Sequence, residues 1–238
     1  MASPRQVLIV AAGDLDAREL ATLAAPPHGG PLETPLIVAA DGGAARCLSA
    51  GVTPDVVVGD LDSLPADGLA RLRALGVELR VAAADKDESD MELCLLAALE
   101  AGAQRVSIVG ALGGVRPEHS IANLLLLADP RLDGVEVAVV GEGSRITRIG
   151  TAVGPGELAV DGAAGDFVSL FALGAVVEGV ITHGLRFPLR GEALPLGPSR
   201  GLSNELLGAR ASVSSRRGCL LVVHTSRSAV SGLAKEPR

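Results

Sequence analysis

Tryptophan and tyrosine are absent from this chain, and its only aromatic residues are Phe167, Phe171 and Phe187. Proteins that hold single-stranded nucleic acid stack bases on aromatic rings, and nothing before Phe167 can serve as such a platform. The formal net charge of -7 also repels a phosphate backbone, so no nucleic-acid partner is expected. Lysine is nearly missing: Lys86 and Lys235 stand against 19 arginines. Neither follows the glycines of a Walker-type loop, which excludes that class of nucleotide site. No apolar run approaches the roughly 18 residues of a spanning helix, and Leu124 to Leu127 soon meets Asp129 and Pro130. No membrane partner is expected. Val7 to Ala12 is too short for a secretion signal and runs into Gly13 and Asp14. Cys47, Cys94 and Cys219 are isolated. They offer no zinc spacing, and they suit buried thiols in the reducing cytoplasm.

What is present is aliphatic. Hydrophobic residues make up 48% of 238 positions, enough for one large domain or two small ones. Val7 to Ala11, Leu36 to Ala40, Asp55 to Val58, Val77 to Val81, Arg105 to Val109 and Val135 to Val140 read as strands. They are apolar nearly throughout, as strands of a parallel sheet covered on both faces are. Helical patterns separate them, near Asp16 to Ala24, Ala44 to Ala50, Pro65 to Leu75, Asp90 to Ala101 and Glu118 to Ala128. This βα alternation predicts an α/β domain over residues 1–143, a Rossmann-like parallel sheet with helices on both faces. Pro26 to Pro31 reads as a loop. After Gly143 the runs become short, β-branched and broken by Gly and Pro, as in Phe167 to Leu173, Val176 to Thr182 and Ala209 to Val213. An all-β sandwich is expected over 144–224, and a disordered tail over 225–238. Phe167 and Phe171 fall on one face of a strand, where core residues are expected.

Acidic residues gather where strands end. Gly59-Asp60-Leu61-Asp62-Ser63 follows Val56 to Val58, and Asp85-Lys86-Asp87-Glu88-Ser89-Asp90 follows the strand ending at Val81. Ligands of open α/β sheets bind beyond the carboxyl ends of strands. Ser63 as a helix cap explains part of the first group. Ser89 with Glu92 forms a capping box that explains part of the second. Four acids within six residues exceed what capping needs, because like charges repel unless a cation joins them. Oxygen-only donors suit Mg²⁺. A third strand end carries Gly110 to Gly114, then Arg116, Glu118, His119 and Asn123. The glycines allow close approach to a phosphate, and Arg116 is a natural phosphate partner. Asp41-Gly42-Gly43 opens a helix and offers an anion site. Its Asp contacts either a ribose or a metal-bound water. Gly197-Pro198-Ser199-Arg200-Gly201 matches G-x-S-x-G only formally, since a nucleophile elbow needs strand, turn and helix in order. His28, His119, His183 and His224 are scattered, and no His/Cys set for a metal hydrolase exists.

Five motifs in order resemble those of thiamine pyrophosphokinases, from about Val7 to Val223. They are Ala40-Asp41-Gly42-Gly43-Ala44, Pro54-Asp55 through Gly59-Asp60-Leu61-Asp62-Ser63, Asp85 through Asp90, Thr182-His183-Gly184-Leu185-Arg186-Phe187-Pro188-Leu189, and Gly201-Leu202-Ser203-Asn204-Glu205. The chain departs from the family at Ala45, where Asn is usual. It also departs at Val115 and Glu118, within a stretch that otherwise reads G-G-R-x-D-H-x-x-A-N. The resemblance implies transfer of the pyrophosphoryl group of ATP to the thiamine hydroxyl, giving thiamine diphosphate and AMP. It implies catalytic roles for Asp60, Asp62, Asp87 and Asp90, with Mg²⁺ on Asp62, Asp90 and Asp60. Either Asp60 or Asp87 accepts the hydroxyl proton. Nucleotide contacts fall to Asp41, Gly42, Gly43, Ser63, Arg116, Glu118, His119 and Asn123. Thiamine contacts fall to Phe187, Ser203 and Asn204, with Phe187 either stacking on the pyrimidine or packed in the core. A homodimer with a shared substrate site is implied too. Two rival readings are a nucleotide or thiamine sensor that has lost catalysis, and a pyrophosphokinase for another alcohol such as a hydroxymethylpterin.

Overall fold

The computed structural model describes residues 5–25, 34–83, 85–141, 143–151 and 154–233. The expected loop from Pro26 to Pro31, with His28, lies outside the described residues. The chain forms two compact units.

The first unit takes in Met1–Leu126 and Gly134–Gly141. Its strands are β1 (Gln6–Val10), β2 (Leu36–Ala40), β3 (Val56–Gly59), β4 (Glu78–Val81), β5 (Arg105–Val109) and β6 (Glu136–Gly141). Its helices are α1 (Ala17–Ala24), α2 (Asp41–Ser49), α3 (Ala66–Ala74), α4 (Asp90–Glu100) and α5 (Pro117–Leu126). The strands are parallel, in the order β4-β3-β2-β1-β5-β6. Side chains alternate between faces. Leu8, Val10, Ile37, Ala39 and Val57 cluster with Leu20 of α1, Ala44 and Cys47 of α2 and Leu72 of α3. Val7, Ile9, Val38, Val56 and Val58 are equally buried. Helix α4 contacts β1, β2 and β3, and it buries Met91, Cys94 and Leu95. Helices therefore flank the sheet, and the inner strands are apolar on nearly every residue, whereas the edge strand β4 carries Glu78 and Arg80 and buries none of its residues. Each fully buried Val, Leu or Ile is worth about 1.5–3 kcal/mol over its exposed state.

The strand order fixes the site. The chain runs outward from β1 to β4, then returns to the other side of β1 for β5. Ligands of such sheets bind at this switch point, beyond the strand carboxyl ends. The register aligns those ends: Val10 pairs with Ala39 and Val109, Ala40 with Val58, and Gly59 with Val81. All four glycine and acid groups, after β2, β3, β4 and β5, therefore leave the sheet at one edge.

The second unit takes in Leu127–Asp133 and Glu142–Arg238. Its strands are β7 (Ser144–Ile149), β8 (Gly156–Asp161), β9 (Phe167–His183), β10 (Arg190–Pro195), β11 (Asn204–Glu205), β12 (Arg210–Ser215) and β13 (Arg217–Thr225), and α6 (Arg227–Leu233) follows. The strands pair antiparallel in the order β7-β13-β9-β12-β8, with β10 and β11 also on β9. The two runs expected at Phe167 to Leu173 and Val176 to Thr182 are one strand of 17 residues. Its first half pairs with β13 and its second with β10 and β12. Gly174, at φ 106, marks the change of sheet, and β13 shifts register opposite it, between Arg217 and Cys219. Val168, Leu170 and Ala172 from the first half share a core with Val177, Val180, Val213, Leu220 and Val222.

Two expectations are corrected here. Phe167 and Phe171 have the opposite parity to those core residues. Phe171 is 44% exposed, and half-buried Phe167 lies under the Arg227 guanidinium, 5.1 Å from its ring centre. The core is thus purely aliphatic. The tail also differs from the disorder expected after Val223–His224: Thr225 ends β13 and Arg227–Leu233 is helical. Buried Asp166 draws it in by accepting the Arg227 N–H at 3.0 Å. Residues 234–238 lie outside the described residues.

Candidate active site

Asp41 is the deepest acid of the sheet edge, 1% exposed. It is the first residue of α2, and its Oδ2 accepts the Ser63 N–H at 2.8 Å. Its Oδ1 is buried with no hydrogen-bond partner among the described residues. Burial pushes this carboxyl above the usual carboxylate range. The Ser63 hydrogen bonds offset the shift in part, and the charges of Asp60 and Asp62 add to it. Carboxylate oxygens of Asp41, Asp60 and Asp62 lie within 4.8 Å of one another. Asp60 Oδ1 accepts from the Asp62 N–H at 3.3 Å, and Ser63 Oγ donates to Asp62 Oδ1 at 3.1 Å. Ser63 is therefore part of the acid loop rather than a helix cap; α3 follows Pro65 with no side-chain cap among the described residues. Leu61 holds the loop's turn at φ 64, a strained value for a non-glycine residue.

Asp90 joins this group through Gly59. A Cβ at Gly59 (φ 151) would lie 2.8 Å from Asp41 Cβ and 3.3 Å from both Asp90 Cγ and Oδ2. Only glycine lets the two acids close on the strand end. Ser89 Oγ accepts the Glu92 N–H at 3.2 Å as the expected cap of α4, which leaves Asp90 free of that duty. Lys86 Nζ sits 2.8 Å from Asp90 Oδ1.

Asp90 and Ser63 of this group line an open cleft of about 480 Å³ built from residues after β1, β2, β3, β4 and β5, among them Gly13, Gly42, Lys86, Gly114, Arg116, His119 and Asn123. Helix α2 starts with no side-chain cap among the described residues, so its first N–H groups remain available to an anion. Gly43 is forced, since a Cβ there would run into the Val10 carbonyl oxygen. Arg116 Nε pairs with Glu118 Oε1 at 2.7 Å. That contact holds the exposed Glu118 carboxyl below the usual range. Both partners face water, so the pair opens readily.

In the second unit, Leu185 bridges Leu206, and this brings the Thr182–Leu189 segment beside Ser203-Asn204-Glu205. Asn204 is buried, and its amide is spent internally. Its Nδ2 donates to Phe187 O at 2.7 Å, and its Oδ1 accepts from Phe187 N at 2.9 Å and Glu205 N at 3.0 Å. Phe187 is thereby presented outward, 54% exposed, with the Arg186 guanidinium 5.4 Å from its ring centre. Ser203 is held at φ 58, and its N–H donates to Ser169 Oγ at 3.0 Å.

Two family models cover most of this architecture. One, described as thiamin pyrophosphokinase, catalytic domain, matches residues 32–139. The other, thiamin pyrophosphokinase, vitamin B1 binding domain, matches residues 157–220. The chain belongs to the thiamine pyrophosphokinase family. It is 26% identical over 195 residues to a thiamine pyrophosphokinase of Bacillus subtilis, an alignment spanning 82% of this chain and 89% of that protein. A solved thiamin pyrophosphokinase of Geobacillus thermodenitrificans superposes with a TM-score of 0.75 at 28% identity, over 94% of this chain and 98% of that one. The solved yeast enzyme shares the fold, with a TM-score of 0.73 at 14% identity, over 94% and 87% of the two chains.

Within this pyrophosphokinase frame, Asp41, Asp60, Asp62, Ser63 and Asp90 come together, and Gly42, Arg116, His119 and Asn123 share their cleft. Asn123 is tied to the scaffold, its Nδ2 donating to Ala111 O at 2.8 Å. Asp87 is exposed and outside the three-carboxylate group. Asn204 is turned inward, where its amide binds the backbone of Phe187 and Glu205 and shapes the loop that carries Phe187. Phe187 is not a core residue. Sequence reasoning missed Asp14, whose Oδ2 accepts the Gly114 N–H at 3.2 Å and so ties down the glycine loop. The signal was present: Asp14 also follows a strand, behind Gly13. It missed Lys86 as well.

Proposed function

We propose that this chain is a thiamine pyrophosphokinase, transferring the pyrophosphoryl group of ATP to thiamine. The observation that carries the reading is the orphaned, buried Asp41 oxygen inside a carboxylate set at the switch point of an α/β sheet. A buried unpaired carboxylate is costly, and a divalent cation is the partner that removes the cost. The donors are all oxygens, which fits Mg²⁺. Asp41, Asp60, Asp62 and Asp90 would hold it. When bound, Mg²⁺ supplies charge neutralisation for the triphosphate and the departing AMP.

The chain's own groups do the rest. The uncapped start of α2 and the loop Gly113–Gly114 receive phosphate oxygens, and Arg116 leaves Glu118 to add its fork. The thiamine hydroxyl oxygen attacks the β-phosphorus of ATP. The bond from that phosphorus to the oxygen bridging the α-phosphate breaks, and AMP departs. The hydroxyl proton passes to a carboxylate; Asp87, exposed between the cleft-lining Lys86 and Glu88, is the one left for that role. Alignment and charge stabilisation are what this chemistry asks of a protein. Phe187 offers a ring face for the thiamine pyrimidine, and Ser203 its free hydroxyl. A homodimer with a shared substrate site follows from the family resemblance, and the exposed Ile121 and Leu125 of α5 support it. Buried free thiols at Cys47, Cys94 and Cys219 support a cytoplasmic enzyme.

Incubation with Mg-ATP and thiamine tests the reading. AMP and thiamine diphosphate are expected in equal amounts. AMP only with a hydroxymethylpterin would move the substrate, and neither product would favour a sensor.

A further inference from the structure

The cleft's acid set carries a cation of its own. Lys86 is one of two lysines in a chain with 19 arginines, and its side chain is only 15% exposed at 2.8 Å from Asp90 Oδ1. A helical i,i+4 pair does not explain this contact. Lys86 precedes α4, which begins at Asp90. A lysine ahead of a helix N-terminus opposes the helix dipole, and Lys-before-Asp is the weaker order for such pairs. The contact answers instead to the acids. Asp90, which Lys86 touches, closes on Gly59 together with Asp41, and Asp41 lies with Asp60 and Asp62. Lys86 also lines the cleft beside Gly113, Gly114 and Arg116. A compact ammonium is closer to a metal ion in shape and hydration than a guanidinium fork is.

We propose that Lys86 is the resident counter-cation of the acid set. It neutralises Asp90 while the metal is away, yields that carboxylate to the metal, and turns its ammonium to the triphosphate. It thus makes metal and nucleotide binding concerted: an acid set held by Lys86 resists free metal, and Lys86 released from Asp90 favours the nucleotide. The nucleotide half rests on the pyrophosphokinase reading; the metal half does not.

The test uses the full chain with Lys86→Met and Lys86→Arg. Binding of Mn²⁺ alone is measured by calorimetry, and kcat and KM for Mg-ATP and for thiamine by steady-state assay. Lys86→Met is expected to bind Mn²⁺ about 5-fold more tightly than the parent, because a competing ion pair is gone. The KM for Mg-ATP is expected to rise on the order of 10-fold as a charged phosphate contact is lost, with the thiamine KM unchanged. Lys86→Arg keeps the charge and should return both values most of the way. Mn²⁺ affinity equal to or below the parent's in Lys86→Met would overturn the proposal, as would an unmoved Mg-ATP KM. If the parent makes no thiamine diphosphate, the pyrophosphokinase reading has failed, and the Mn²⁺ measurement still decides whether Lys86 is the counter-cation.

Discussion

Asp41 in the α/β unit and Asp166 in the β unit are buried to nearly the same depth, 1% and 5% exposed. Their surroundings differ. Asp166 accepts from Ala163 N at 2.9 Å, Arg227 N at 3.0 Å and His224 Nε2 at 3.0 Å. Burial pushes its carboxyl up, but those donors outweigh burial and hold it below the usual range. Asp41 has the Ser63 donor on one oxygen and nothing on the other, and burial leaves its carboxyl raised. The β unit pairs its buried carboxylate and the Asn204 amide internally, leaving only the neutral Ser215 Oγ and the Nε of Arg148 without partners among the described residues, and it presents shape: the Phe187 ring and the Ser203 turn. The α/β unit leaves charge unanswered and presents a demand for a cation. One region is finished by folding alone, the other by its ligand.

The largest expected effect breaks the demand. Asp62 is exposed, so Asp62→Asn should fold normally yet lose turnover by about 100-fold or more, at or beyond the upper end of what outer-shell partners of metal ligands cost. Near-parent rates would remove the metal role of this acid. Gly59→Ala comes next. Its strained φ and the clash with Asp41 should cost about 1–3 kcal/mol and also separate Asp41 from Asp90. Chemical denaturation with a parallel rate assay would register both losses.

The pH dependence of stability should separate the two aspartates by sign. Asp166 has a lowered folded-state pKa. Its stabilisation is present above the ordinary Asp value of about 3.9 and is lost as pH falls through the lower folded value. Asp41 has a raised folded-state pKa. Its contribution is favourable below about 3.9 and is lost as pH rises through the folded value, so at neutral pH its charge is a cost. Asp166→Asn should therefore remove about 1.5–3 kcal/mol at pH 7, the worth of hydrogen bonds to a charged group, and much less near pH 3. Its activity per folded molecule should hold. Denaturation curves at the two pH values would check this.

Smaller effects sharpen the β unit's side. Asn204→Ala strands the Phe187 backbone groups and should cost about 1–3 kcal/mol while raising the thiamine KM more than the ATP KM. Phe187→Ala should move stability by no more than about 0.5 kcal/mol, as exposed positions do, and raise the thiamine KM. A large stability loss instead would return Phe187 to a packing role.

The sheet was legible because its strands are apolar on consecutive residues, and their ends were marked by Gly and Asp. The start of α2 was less so. Asp41, Gly42 and Gly43 are poor helix formers, so the pattern placed the start at Ala44. Packing of Gly43 on the Val10 carbonyl sets the true start. Strand β9 read as two because Gly174 and Ala175 look like a break, whereas the chain bends there and continues in another sheet. The acids were legible as a group. Which of them is buried was not, since composition says nothing of depth; Asp41 read as a nucleotide contact at a helix start, and its burial beside Asp60 and Asp62 was not visible. Asn204 was legible as a motif residue, but whether its amide faces substrate or backbone depends on the neighbouring loop. Lys86 stands among four acids between Asp85 and Asp90, a pattern that says nothing of contact, and only its distance to Asp90 separates it from a solvated charge run.

The most direct test of the contrast is Asp41→Asn, read by metal-free thermal unfolding at pH 7 and by Mn²⁺ binding. The substitution keeps an acceptor for the Ser63 N–H and removes the unanswered charge. The account predicts a melting temperature equal to or above the parent's, with Mn²⁺ binding lost. A lower melting temperature with Mn²⁺ binding unchanged would show that Asp41, like Asp166, is there for the fold.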